Sequence, residues 1–226
     1  MANSSGSHQV AASTVWQILK NQGVGPAPQR ASVTWLDLLG SQAAVACDFA
    51  WVDTVGLRRY YLLFFVDINT RRVFYAGITA HPTGDWTTQA RNLFVRHDTA
   101  LARCKALVRD RANQFTAACD EIFRTEGIKV LKTPVRTPAA NAFAERSIGT
   151  LRRELLDRTL VWNRQQLERI VVDYIDHYNE HRPHRSLDQH PPSRAVATSI
   201  RSPANHAHVH RISRCDGLIR EYRNAA

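Results

Sequence analysis

The chain has few cysteines, few lysines, few acidic residues and no long apolar run. Its four cysteines, Cys47, Cys104, Cys119 and Cys215, form no C-x-x-C pair, and two of them lie beside strand-like apolar segments. They read as reduced, buried thiols rather than a disulfide framework or a zinc knuckle, which suits an intracellular protein. No stretch approaches the roughly 18 apolar residues of a membrane span, and no charged-then-apolar leader precedes a small-residue cleavage site. A membrane or secreted protein is therefore not expected; the expectation is a soluble, cytoplasmic one. Lysine stands only at 20, 105, 129 and 132, so 26 of the 30 basic residues are arginine, against 20 acidic residues and a net charge of +10. A sequence pI near 10.0 favours a polyanionic partner, most simply nucleic acid, over a small-molecule substrate. Arginine suits bidentate phosphate contacts, although a GC-rich genome produces the same bias.

With carboxylates this scarce, their settings are informative. Asp48 interrupts the apolar run Val45-Ala46-Cys47-Asp48-Phe49-Ala50-Trp51-Val52, whose length and aromatic content predict a buried strand. Asp110 closes a second run, Ala106-Leu107-Val108-Arg109-Asp110, just before a helical segment from Phe115 to Phe123; a strand end followed by a helix commonly holds ligands in α/β sheets. Glu145 lies on a helix of about four turns that Asn141 is placed to cap after Pro138, with Ala144, Ile148, Leu151 and Leu155 as its buried stripe. Three carboxylates carried by a strand interior, a strand end and a helix can converge as a site for hard divalent cations. Asp53 and Asp67 compete for the first position. Asp53 is an odd number of residues from Asp48 and so faces the other side of the strand, while Asp67 ends a strand at a hairpin; both read as structural.

In order, residues 1–30 read as a polar start, a short helix capped by Ser13 and running to Asn21, and a Pro26–Pro28–Arg30 linker. The helix resembles the remnant of a helix-turn-helix, with Gln17 and Lys20 as candidate DNA contacts. Residues 31–193 hold three consecutive strands, then a helix from Trp86 to His97, the strand to Asp110, the helix from Phe115, the strand Lys129–Lys132 and the Glu145 helix. That order predicts an α/β domain with a mixed sheet flanked by helices. Residues 194–226 read as a basic linker and a final short helix, Leu218–Tyr222.

Asp48 in Ala-Cys-Asp-Phe, Asp110 in Arg-Asp-Arg-Ala-Asn-Gln-Phe-Thr and Pro138-x-x-Asn141-x-x-x-Glu145-Arg146 resemble the catalytic core of the retroviral-integrase superfamily, the DDE transposases of bacterial insertion sequences. The segment His177-Tyr178-Asn179-Glu180-His181-Arg182-Pro183-His184-Arg185-Ser186-Leu187 is similar to the ending of those bacterial cores, and the resemblance spans residues 43 to 193. It departs from the pattern at Arg111-Ala112, often Asn-Gly in relatives, at Ala139-Ala140, where longer polar residues are common, and in its shortened N-terminal part.

The resemblance implies a five-stranded RNase H-like fold and a transposase or integrase that cleaves DNA ends and transfers strands (DNA integration and recombination). Asp48, Asp110 and Glu145 would hold two Mg²⁺ or Mn²⁺ ions. It further implies element-end and target DNA as partners, a homo-oligomer on DNA, and a nucleoid-associated location. Arg146, Arg152 and Arg153 are candidate DNA contacts, or else solvated arginines pairing with Glu154 or Asp157. His177, His181 and His184, like His206, His208 and His210, have metal-like spacing, but without a cysteine pair a packing and capping role is preferred for the first set. The alternative is a truncated, non-catalytic DNA-binding remnant.

Overall fold

The apolar runs of the central segment pair into one mixed sheet. The structure, a computed structural model, describes residues 11, 13, 14, 17, 21, 22, 43–87, 103–133, 141–193 and 209–224. Its strands are β1 (Ala44–Asp53), β2 (Arg59–Asp67), β3 (Val73–Thr79), β4 (Ala106–Arg109) and β5 (Lys129–Lys132), in the spatial order β3-β2-β1-β4-β5. β1, β2 and β3 form an antiparallel meander, while β4 joins β1 and β5 joins β4 in parallel. The parallel pairings need crossovers, and helices supply the described parts of them. The helices are α1 (Gly84–Thr87), α2 (Ala117–Thr125), α3 (Ala142–Glu154) and α4 (Arg164–Glu180). The α/β expectation of a five-stranded mixed sheet flanked by helices therefore holds.

Alternation along the strands sorts side chains onto two faces. Val45, Cys47, Leu63, Phe65 and Leu107 pack with Phe115, Cys119 and Phe123 in one apolar cluster beneath α2. On the other face, Phe64 and Val73 meet Ile148 and Leu151 of α3 and Tyr174 and Tyr178 of α4. Thr116 caps α2 by accepting from the Cys119 N–H at 3.4 Å, and Asn163 caps α4 through the Gln166 N–H at 2.9 Å. Gly127, at φ +76°, makes the left-handed turn between α2 and β5.

The Tyr-Asn-x-x-Arg-Pro-His segment knits α4 to the rest of this face. The buried Asn179 amide accepts from the Val73 N–H at 2.9 Å and donates to the Val73 carbonyl at 2.8 Å, standing in for a neighbouring strand. Arg182 forks onto Glu154 at 2.7 to 3.1 Å, and Tyr174 donates to the same carboxylate at 2.8 Å. His184 packs edge-on against Tyr178, with ring centroids 4.7 Å apart.

Three expectations are corrected, the third of them, at Ser13, further below. The C-terminal stretch is not a helix: β6 (Val209–Arg214) and β7 (Ile219–Asn224) form an antiparallel hairpin. Its turn holds Cys215, Asp216 and Gly217 at positive φ, and Ile219 and Glu221 turn inward while Arg220 and Tyr222 face out. The hairpin is clamped to α4. Glu221, 5% exposed, meets His177 Nδ1 at 2.9 Å, Arg214 Nε at 3.3 Å and His181 Nε2 at 3.5 Å, and Asp173 pairs with Arg214 at 2.7 Å. The histidine spacing thus serves a carboxylate contact. Second, Asn141 does not cap α3 with its side chain; it is drawn inward instead, as described below.

The chain divides into two compact units, Met1–Trp35 and Leu36–Ala226. In the first, residues 13, 14, 17 and 21 are helical and Gln17 is exposed; Ser13 is inside the helix rather than its cap. Lys20, the 26–30 linker, most of the expected 86–97 helix, the Pro138 turn and the basic stretch 194–208 with His206 and His208 lie outside the described residues. Among the described residues no helix is long and apolar enough to cross a membrane, and all four cysteines are free and buried.

Candidate active site

The β1–β4 register brings the two aspartates together. Cys47 lies opposite Arg109 in the parallel ladder, so the next residues, Asp48 and Asp110, stand side by side at the carboxyl end of β4. Both belong to the face covered by α3, whose first turn carries Glu145. Asp48 is half-buried, and its Oδ1 accepts from the Phe49 N–H at 2.7 Å. Burial, opposed by that hydrogen bond and reinforced by the charges of Asp110 and Glu145, pushes its carboxyl up to about 7. The Asp48 carboxyl therefore feels the other two.

They are not drawn into a ligand cluster. Among the described residues no three Asp, Glu, His or Cys side chains stand close enough to hold a metal ion. Asp110 Oδ1 accepts from the Ala112 N–H at 3.0 Å, and Glu145 is exposed on α3. The donor set nonetheless fits a hard cation: it is all oxygen, and burial, with two like charges adding to it, holds the Asp48 carboxyl up at about 7. Asp53 and Asp67 lie elsewhere. Asp53 forks with Arg59 at 2.8 and 2.9 Å, and Asp67 Oδ1 accepts from the Asn69 and Thr70 N–H groups at 2.8 and 3.0 Å in the β2–β3 turn. A cavity of about 450 Å³ lined by Asp67, Arg72 and Arg103 opens at the amino end of β1, remote from the acidic group.

The arginines of α3 divide. Arg146 is exposed. Arg152 is engaged: its Nη2 donates to the Trp51 carbonyl at 2.6 Å, its guanidinium lies 4.6 Å from the Trp51 ring, and Asp157 is 3.6 Å away. Arg153 donates to Thr150 Oγ1 at 3.2 Å. Sequence reasoning missed Arg71, whose guanidinium lies over Phe143 at 4.1 Å. Burial and then the Arg146 charge hold Arg71 below its ordinary range, and its buried Nη1 has no hydrogen-bond partner. It also missed the inward role of Asn141, 3% exposed, whose Nδ2 points to the Cys47 carbonyl at 3.5 Å. That contact ties the start of α3 to β1 one residue before Asp48.

Residues 126–192 match the integrase core domain family. The match covers under a third of the chain and includes Glu145 but neither aspartate. No curated protein matches the chain at a significant level. Among solved structures, a chain of the simian T-cell lymphotropic virus intasome, solved in complex with PP2A regulatory subunit B56 gamma, aligns with TM-score 0.55 at 14% identity, over 81% of this chain and 67% of that one. The HTLV-2 integrase catalytic core domain in complex with magnesium, in its trimeric form, aligns with TM-score 0.52 at 14% identity, over 68% of this chain and 95% of that one. The fold is that of retroviral integrase catalytic cores. Together with the family match, it supports the integrase superfamily.

Proposed function

We propose that the chain is a DDE-type polynucleotidyl transferase, a transposase or integrase of the bacterial insertion-sequence kind. The observation that carries this reading is the adjacency of Asp48 and Asp110 on neighbouring parallel strands, with Glu145 close enough from α3 to raise the Asp48 carboxyl. Asp48, Asp110 and Glu145 would hold two Mg²⁺ or Mn²⁺ ions. Such ions, when bound, supply activation of a water or DNA 3′-hydroxyl nucleophile and stabilisation of the leaving oxygen. The magnesium complex of the HTLV-2 catalytic core supports a cation at this fold's site.

The chain's own residues orient the phosphate. Exposed Arg146, with the Arg71 guanidinium near it over Phe143, forms a cationic pair at the start of α3, suited to a DNA backbone. Arg152 is held to Trp51 and shapes the rim, Arg153 lies on the outer side of α3, and Gln17 and Lys20 would serve end recognition. DNA ends and target DNA are the partners, a homo-oligomer is the working form, and the nucleoid is the place of action. The trimeric and dimeric forms of the HTLV-2 catalytic core support self-association.

A non-catalytic remnant is the second reading, favoured by the one observation that the carboxylates are not gathered as ligands. Cutting and joining of labelled duplex by wild type and Glu145→Gln, in Mg²⁺ and in Mn²⁺ with DNA binding in parallel, decides between them. Reaction by wild type alone, with equal binding, is the expected result; binding by both and reaction by neither selects the remnant.

A further inference from the structure

We propose that the buried Arg109–Asp120 pair is a positioning device that fixes Asp110, an inference that rests on the carboxylate-triad reading above. Arg109 ends β4 and is 2% exposed; Asp120, in the first turn of α2, is 1% exposed. Arg109 Nε and Nη2 fork onto the Asp120 carboxylate at 2.8 Å each, and Lys132 Nζ of β5 reaches the same carboxylate at 3.1 Å. The guanidinium lies 5.2 Å from the Phe115 ring, within the apolar layer beneath α2.

Stability alone gives little reason for this arrangement. Two desolvated charges cost several kcal/mol each, and a packed apolar pair of similar volume often stabilises a fold as well or better. What an apolar pair lacks is the third arm. Arg109 Nη1 donates to the Asp110 carbonyl at 2.8 Å, at the first residue past β4, where the ladder no longer holds the backbone. With one fork fixed by Asp120, the guanidinium is a rigid strut that sets the peptide plane leaving Asp110. From the other side, Asp110 Oδ1 accepts from the Ala112 N–H, and Arg111 Nε bonds the Thr133 carbonyl at 3.1 Å. Asp110 is thus held from both directions, with its carboxylate turned to the face of Asp48.

Two variants of the full chain separate positioning from packing. Arg109→Met with Asp120→Leu keeps a filled core without the strut. Arg109→Lys keeps an ion pair with Asp120, but one ammonium cannot also hold the Asp110 carbonyl. Mn²⁺ affinity is read by electron paramagnetic resonance of the free ion, and folding by thermal melting. Both variants are expected to fold and to bind Mn²⁺ at least about tenfold more weakly than wild type, the usual effect of losing an outer-shell partner. If the double variant does not melt cooperatively, Arg109→Lys carries the comparison. Wild-type affinity in a folded variant, with binding lost in Asp48→Asn, overturns this inference alone. Wild-type affinity in Asp48→Asn itself overturns the triad reading, and this inference with it.

Discussion

Replacing Asp48 with Asn should stabilise the protein, and only at a pH where the carboxylate is ionised. The carboxyl, ordinarily at 3.8, stands at about 7 in the fold. Between those values the folded state keeps a proton that the unfolded chain has lost. By linkage its contribution is present below about pH 4 and is lost as pH rises through 7. The gap corresponds to about 4 kcal/mol if the shift is taken whole; partial solvent exposure of Asp48 reduces this to about 2 kcal/mol. Asn keeps the shape and cannot ionise. In a chain of this size a gain of about 2 kcal/mol raises Tm by roughly 4 to 8 °C. Calorimetry in chelator at pH 8 and pH 5 tests it, with the gain at pH 5 expected to be less than about half of that at pH 8. Added Mn²⁺ should then raise the Tm of wild type and not of Asp48→Asn. No gain at pH 8, or equal gains at the two pH values, would refute the view that ionised Asp48, buried and beside two further carboxylates, burdens the fold.

Asn179→Ala should lower unfolding free energy by about 2 to 4 kcal/mol, because it strands a buried N–H and a buried carbonyl on Val73; an unchanged denaturation midpoint would count against the strand-mimic role. Burial, then the Arg182 charge, holds His184 down to about 4, below its ordinary 6.5. The unfolded chain therefore binds the proton first, and stability present above pH 6.5 should fall by up to about 3 kcal/mol as pH drops to 4. His184→Gln should flatten that slope in denaturant melts at stepped pH. Glu221→Gln should loosen the β6–β7 hairpin from α4, seen as faster amide exchange in β6 and β7 with the five-stranded sheet unaffected; uniform exchange rates would show that the histidine and arginine contacts to Glu221 add nothing.

The five-stranded sheet was legible because its strands are buried on both faces, which leaves near-continuous apolar runs such as Leu62–Val66, 0 to 2% exposed. The hairpin at the C-terminus was misread for the opposite reason. Its inward positions include Glu221 and Arg214, which form ion pairs with each other and, for Glu221, with two histidines, so the period of two is written in polar residues and disappears from a hydrophobicity pattern. Asp216-Gly217 was the usable signal, since that dipeptide favours the positive φ values a tight hairpin needs. Asn141 failed differently. Its residue type suits a helix cap, but the β1 backbone competes for the amide, and nothing local in the sequence announces a partner 94 positions away.

At the site, what could be read was which carboxylates were out of place; what could not was which of them meet. Alternation alone separated Asp48 from Asp53, but the adjacency of Asp48 and Asp110 depends on the β1–β4 register, a non-local quantity. The same register gives two carboxylates of one strand pair and its helices opposite treatment. Asp120, on the α2 face, is met by Arg109 and Lys132 and is compensated where it is buried. Asp48, on the α3 face, is influenced chiefly by burial and by two further carboxylates, with no basic side chain among the causes of its shift. A domain able to bury Asp120 against two cations has the means to neutralise Asp48 and does not. Uncompensated charge of that kind weakens the fold and gains from a cation, which is the combination expected where function rather than stability sets the residue.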